Sequence, residues 1–156
     1  MSSNTSDREI IITRLISAPR ELVWKAWTDV NHLVKWWGPD GFSNTTKEFD
    51  FRVGGVWRHV MHGPDGTDYP NRITFEEITP PERLVYYHDS GEDGIDDAQF
   101  LATVTFEEED GKTRLTMKSL FNSAKERDHV VTVYGAIEGG KQHLGRLDEY
   151  VGQLQK

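Results

Sequence analysis

Cysteine is absent from all 156 residues, which removes disulfides, thiolate nucleophiles and cysteine-held metal or iron–sulfur centres. Basic residues are the minority charge: 18 Lys and Arg stand against 26 Asp and Glu, a formal net charge of −8. That balance repels phosphate backbones and anionic lipid heads, so nucleic acid and membrane surfaces are poor partners. No apolar run approaches the length of a membrane span, and no membrane insertion is expected. Met1 to Asp7 lacks the basic start and apolar stretch of a secretion signal. It reads as a flexible terminus (residues 1–7) ahead of one domain over 8–156, and the cysteine-free composition suits the reducing cytoplasm. Missing too are a Walker loop, a G-x-S-x-G elbow and a dinucleotide fingerprint, so no cofactor is expected.

Aromatic residues are plentiful: five Trp, five Tyr and seven Phe in an otherwise hydrophilic chain. Large rings build cores, but they also line apolar pockets. A chain this long should bury roughly 68–70% of its unfolded surface, enough for one core.

The apolar spacing changes period twice. A β-branched run, Ile10-Ile11-Ile12-Thr13, predicts a first strand within Arg8–Ser17. Pro19 opens a helix carrying Val23, Ala26 and Trp27, and Asp29 caps a second short helix to about Trp36, ended by Gly38-Pro39. Period-two segments follow near Thr45–Phe51, Val56–His62, Asn71–Thr79, Arg83–Asp89, Gln99–Glu108 and Thr113–Phe121. Their short links imply an antiparallel meander. Helical period returns after Ser123-Ala124-Lys125-Glu126, a capping-box pattern. One helix from Ala124 to Leu154 would span ~46 Å, too long for the domain, so a break at Gly135 or Gly139-Gly140 is expected. The whole predicts an α+β fold: a curved seven-stranded antiparallel sheet, two short helices after strand 1, and a long C-terminal helix over one face. A twisted sheet and a helix rarely meet flush, so a hydrophobic cavity should persist between them.

Six segments carry a resemblance to a known family: Ala18-Pro19-Arg20-Glu21-Leu22-Val23-Trp24, Trp36-Trp37-Gly38-Pro39, Gly54-Gly55-Val56-Trp57, Met61-His62-Gly63-Pro64-Asp65-Gly66, Pro80-Pro81-Glu82-Arg83-Leu84 and Tyr134-Gly135-Ala136-Ile137-Glu138-Gly139-Gly140. In this order they resemble the SRPBCC superfamily (START/Bet v 1-like, helix-grip fold). Within it they resemble the branch named after the C-terminal domain of the activator of the heat-shock chaperone ATPase. The resemblance implies the fold and a deep hydrophobic cavity. It implies no universal catalytic motif.

Alternation puts Trp57, His59 and Met61 on one strand face, assigned to the interior, and Arg58, Val60 and His62 on the other. Ile73 and Phe75, Tyr86 and His88, Phe100 and Val104, and Leu115 and Met117 should also face inward. Tyr134, Ile137 and Leu144 would close the cavity from the helix, with His143 nearby. Each is as readily an ordinary core residue. Two histidines and two tyrosines, however, need polar partners if buried. His59 and His88 are the best chemical candidates, as anchors or as acid–base groups. Of the pair Trp36-Trp37, one ring can enter the core while its neighbour lies exposed or forms a pocket lid or a dimer contact. Metal chemistry is not expected. His59 and His62 point to opposite faces at i and i+3 on a strand, and the loop around Asp93-Gly94 has Phe100 where a calcium loop needs Glu.

The leading expectation is a binder of a small hydrophobic or aromatic molecule. A cyclase/aromatase- or hydrolase-like enzyme using the same cavity, and an interaction module like the chaperone ATPase activator, remain open. So does weak homodimerisation.

Overall fold

Strand β1 (Glu9–Ile16) alternates buried and exposed side chains as its β-branched sequence requires, with Ile10, Ile12 and Ile16 turned inward. Two short helices follow, α1 (Arg20–Thr28) and α2 (Val30–Trp36). Pro19 sits at the N-cap of α1, just outside the first-turn position expected of it. The Asp29 carboxylate accepts from the Asn31 N–H at 3.0 Å and starts α2. The chain then meanders through β2 (Ser43–Phe49), β3 (Val56–His62), β4 (Asp68–Thr79), β5 (Arg83–Asp89), β6 (Phe100–Glu109) and β7 (Lys112–Phe121). The computed structural model describes residues 6–91 and 99–155. The Asp93-Gly94 loop and the Tyr134 side chain lie outside the described residues.

All strand pairs are antiparallel, in the order β1-β7-β6-β5-β4-β3-β2. β1 and β2 are therefore the two edges, and α1 and α2 carry the chain between them. The β6–β7 hairpin turns at Asp110-Gly111, both at positive φ (53° and 80°), the type I′ geometry that Asp-Gly favours.

After β7, the Ser123 hydroxyl accepts from the Glu126 N–H at 3.1 Å and opens α3 (Ala124–Tyr134). The helix breaks at Gly135, whose φ of +62° falls in the left-handed region that glycine enters at no steric cost. α4 (Ala136–Leu154) then runs across the sheet and buries His143, Leu144, Leu147 and Val151, one face of a helix. Together α1, α2 and α4 cover the concave side with Val23, Ala26, Trp27, Leu33 and Trp36 among the buried groups. Among the described residues no helix is long and apolar enough to cross a membrane.

Candidate functional site

The space beneath α4 is not one hollow. Its centre is filled by Trp37, whose ring lies 5.1 Å from Trp57, 5.8 Å from Trp27 and 4.5 Å from His143, each nearly edge-on. Edge-to-face contacts of this kind let large rings close-pack. The void left among Trp27, Leu33, Trp37, Trp57, Ile73, Phe75 and Tyr86 is about 10 Å³, room for about one water. The sequence places one tryptophan of the Trp36-Trp37 pair outside the core. The structure buries both, at 1% and 6% exposure, and the Trp36 indole N–H donates to the Ala26 carbonyl at 3.0 Å. The physical reason is that Trp37 caps α2 in extended conformation, which swings its ring back under α4.

Two residues of α4 hold that corner. The Gly38 N–H donates to His143 Nδ1 at 2.9 Å, fixing that nitrogen as acceptor. One turn on, the Arg146 guanidinium donates to the carbonyls of Trp37 (3.2 Å), Gly38 (3.0 Å), Pro39 (2.7 Å) and Phe42 (3.1 Å). Burial pushes His143 down to about 3, helped by the Arg146 charge. Burial likewise lowers Arg146 itself, against the pull of Asp40 and Glu149. Sequence reasoning placed His143 near the cavity and missed Arg146. The only available signal was a base three residues from it on the apolar stripe.

His59 is the most unusual group in the filled centre. It is 1% exposed and stacks on Trp57, with ring centroids 3.7 Å apart and planes at 16°. Neither ring nitrogen has a hydrogen-bond partner. Its pKa is lowered to about 3, by burial first and the neighbouring His88 second; the Trp57 backbone favours the protonated ring but makes no hydrogen bond of full geometry to it. Burial also raises Tyr86 above its ordinary value. His88 is half-buried and stacks on Phe100 at 4.7 Å, in a row that crosses the sheet from Trp57 through Ile73 and His88 to Phe100. Met61 reaches the Gly38 corner, half-buried. His62 diverges from His59 as alternation requires, its Nδ1 2.7 Å from an Asp68 oxygen and its Nε2 2.7 Å from the Thr45 hydroxyl. Among the described residues no three His, Asp or Glu side chains stand close enough to hold a metal.

The open space lies to one side. A groove of about 370 Å³ runs between edge strand β1 and α4, lined by Ile11, Ile12, Thr13 and Arg14 from the strand and Ile137, Lys141 and Leu144 from the helix. The three helical residues fall at i, i+4 and i+7, one face of α4. Met117 pairs with Ile12 in register and joins the same side. The helix comes close to the strand at Gly140, where an added Cβ would lie 2.3 Å from Ile12 Cδ1. The sequence-derived set thus divides. Trp57, His59, Ile73, Phe75 and Tyr86 gather in the packed centre, with Val104 and Leu115 buried in the sheet; His88 and Phe100 form a stack; Ile137, Leu144 and Met117 stand at the groove.

Comparison with solved structures finds the same fold repeatedly. A protein of Arthrobacter aurescens aligns with a TM-score of 0.87 and 26% identity, covering 97% of this chain and 90% of that one. A protein of Nitrosomonas europaea aligns at 0.84 and 25%, covering 96% and 97%. A Silicibacter pomeroyi protein described as AHSA1 aligns at 0.74 and 19%, covering 93% of this chain and 98% of that one, a likeness of fold alone. No curated protein matches the chain. The family model described as "Activator of Hsp90 ATPase homolog 1-like protein" matches residues 17–152. With the helix-grip architecture and this match across most of its length, the chain belongs to the Activator of Hsp90 ATPase homolog 1-like family.

Proposed function

We propose that this protein binds a small, largely apolar molecule between its sheet and its C-terminal helix, in the groove bounded by β1 and α4. The observation that carries the reading is the groove itself. Its volume of about 370 Å³ falls within the range of small-molecule pockets, and Ile12, Ile137 and Leu144 give it an apolar wall. The packed centre supports the groove in a different role. The bonds of His143 and Arg146 tie α4, which forms one side of the groove, to the turn after α2, and a helix held in place lowers the ordering cost of binding.

The histidines favour binding over catalysis. A ring whose conjugate acid has a pKa of about 3 is neutral and weakly basic at pH 7, far from the value that suits proton transfer there. His59, sealed in the packed centre and not among the residues that line the groove, is therefore poorly placed to shuttle protons.

The test uses the neutral dye Nile red with the full chain. Wild type should enhance its fluorescence and gain melting temperature by mass action as dye is added. Ile137→Trp, which fills the groove from a half-buried position, should abolish both effects while leaving the ligand-free melting temperature within a few degrees. Equal dye binding by wild type and Ile137→Trp would remove the groove from the function.

A further inference from the structure

We propose that the groove's ligand is an amphipathic anion, a small carboxylic acid with an unbranched apolar tail, whose head is held by Lys141. The inference rests on the groove as the binding site and adds the chemical class of its occupant.

Its first support is a contrast of charge. The chain carries 26 acidic and 18 basic side chains, yet the groove is lined by two bases, Arg14 and Lys141, and by no acid. A small patch of opposite sign on an acidic molecule is where an anion concentrates.

Its second support separates the two bases. The Arg14 guanidinium is already engaged: its Nε and Nη2 each lie 3.1 Å from Asp148 Oδ2, and that carboxylate also accepts from the Ser17 N–H at 3.0 Å. Arg14 therefore brings little net charge to the groove. Lys141 is exposed and, among the described residues, stands in no ion pair. It is the base free to meet a ligand.

Its third support is placement. Lys141 lies between Ile137 and Leu144 on one face of α4, opposite Ile12 of the strand. An ammonium on a flexible stem at the rim of an aliphatic trough suits a molecule with one charged end and one oily end. Aromatic rings are absent from the groove lining, so a flat aromatic guest would find no stacking partner there, whereas an alkyl chain packs on isoleucine and leucine.

The experiment titrates full-length, nitrogen-15-labelled protein with decanoate, with decanol as the neutral isostere, and follows amide shifts of Ile137, Lys141 and Leu144. Decanoate should bind several-fold more tightly than decanol. Lys141→Met should weaken decanoate about fivefold, the size expected of an exposed ion contact, and leave decanol unchanged. The preference should shrink as salt is raised. If decanol binds wild type as tightly as decanoate, or Lys141→Met leaves decanoate affinity intact, the anionic class is overturned while the groove stands. If neither compound moves those resonances, the groove fails as a binding site and the inference falls with it.

Discussion

An imidazole buried without a hydrogen-bond partner carries a desolvation cost that ring stacking offsets only in part. His59 is in that position, stacked on Trp57 with both nitrogens unpartnered. Leaving a buried polar group unsatisfied costs about 1–3 kcal/mol, whereas an aromatic stack contributes about 0.5–1.5 kcal/mol beyond area burial. The first effect should win. His59→Leu, close in volume and wholly apolar, is therefore expected to stabilise the protein by about 1 kcal/mol, read as a higher midpoint of urea unfolding at pH 7. A lower midpoint would mean that the ring nitrogens are bonded in solution. Alternation in the sequence foretold which face of β3 His59 occupies. It could not foretell the missing partners, because hydrogen bonds to a strand side chain come from residues remote in sequence.

Elements were the most legible level. The switch from helical to alternating period and back marks α1, β3, β5 and α3 within a residue or two, since each depends on local spacing and caps such as Asp29 and Ser123. What stayed hidden is how one element grips another. Arg146 spans four backbone carbonyls of the turn after α2, and no local pattern announces it. A planar guanidinium with five donors can serve several acceptors at once; an ammonium on a shorter, rounder head cannot. Arg146→Lys should therefore destabilise by about 1.5–3 kcal/mol, the worth of hydrogen bonds to a charged group, despite its conserved charge. The intrinsic tryptophan fluorescence should change with it, as the Trp37 ring loses its fixed place beside His143. A urea midpoint equal to that of wild type would assign the holding of this turn to tryptophan packing alone.

At the scale of the whole molecule, short links made the antiparallel order readable, but periodicity yields faces and not volumes. Clustered tryptophans could line a hollow or fill it, and only the angle at which Trp37 leaves α2 decides that Trp27, Trp37 and Trp57 fill it here. The filled centre sets the protein's response to acid. His59 and His143 are both held neutral, with folded-state pKa values of about 3 against an ordinary 6.5. Between those values the unfolded chain binds protons that the folded one refuses, so stability falls as pH drops from roughly 6.5 toward 3. Each ring adds a slope of about 1.4 kcal/mol per pH unit where its two forms differ by a full proton. Carboxylates also titrate in the lower half of that window, so the slope of wild type alone does not isolate the histidines. The comparison with His59→Leu does: its unfolding free energy should fall less steeply between about pH 6 and pH 4, by close to one ring's share. Parallel curves for the two proteins would mean that His59 takes up its proton as readily inside the fold as outside it, which a ring sealed between Trp57 and the sheet cannot do.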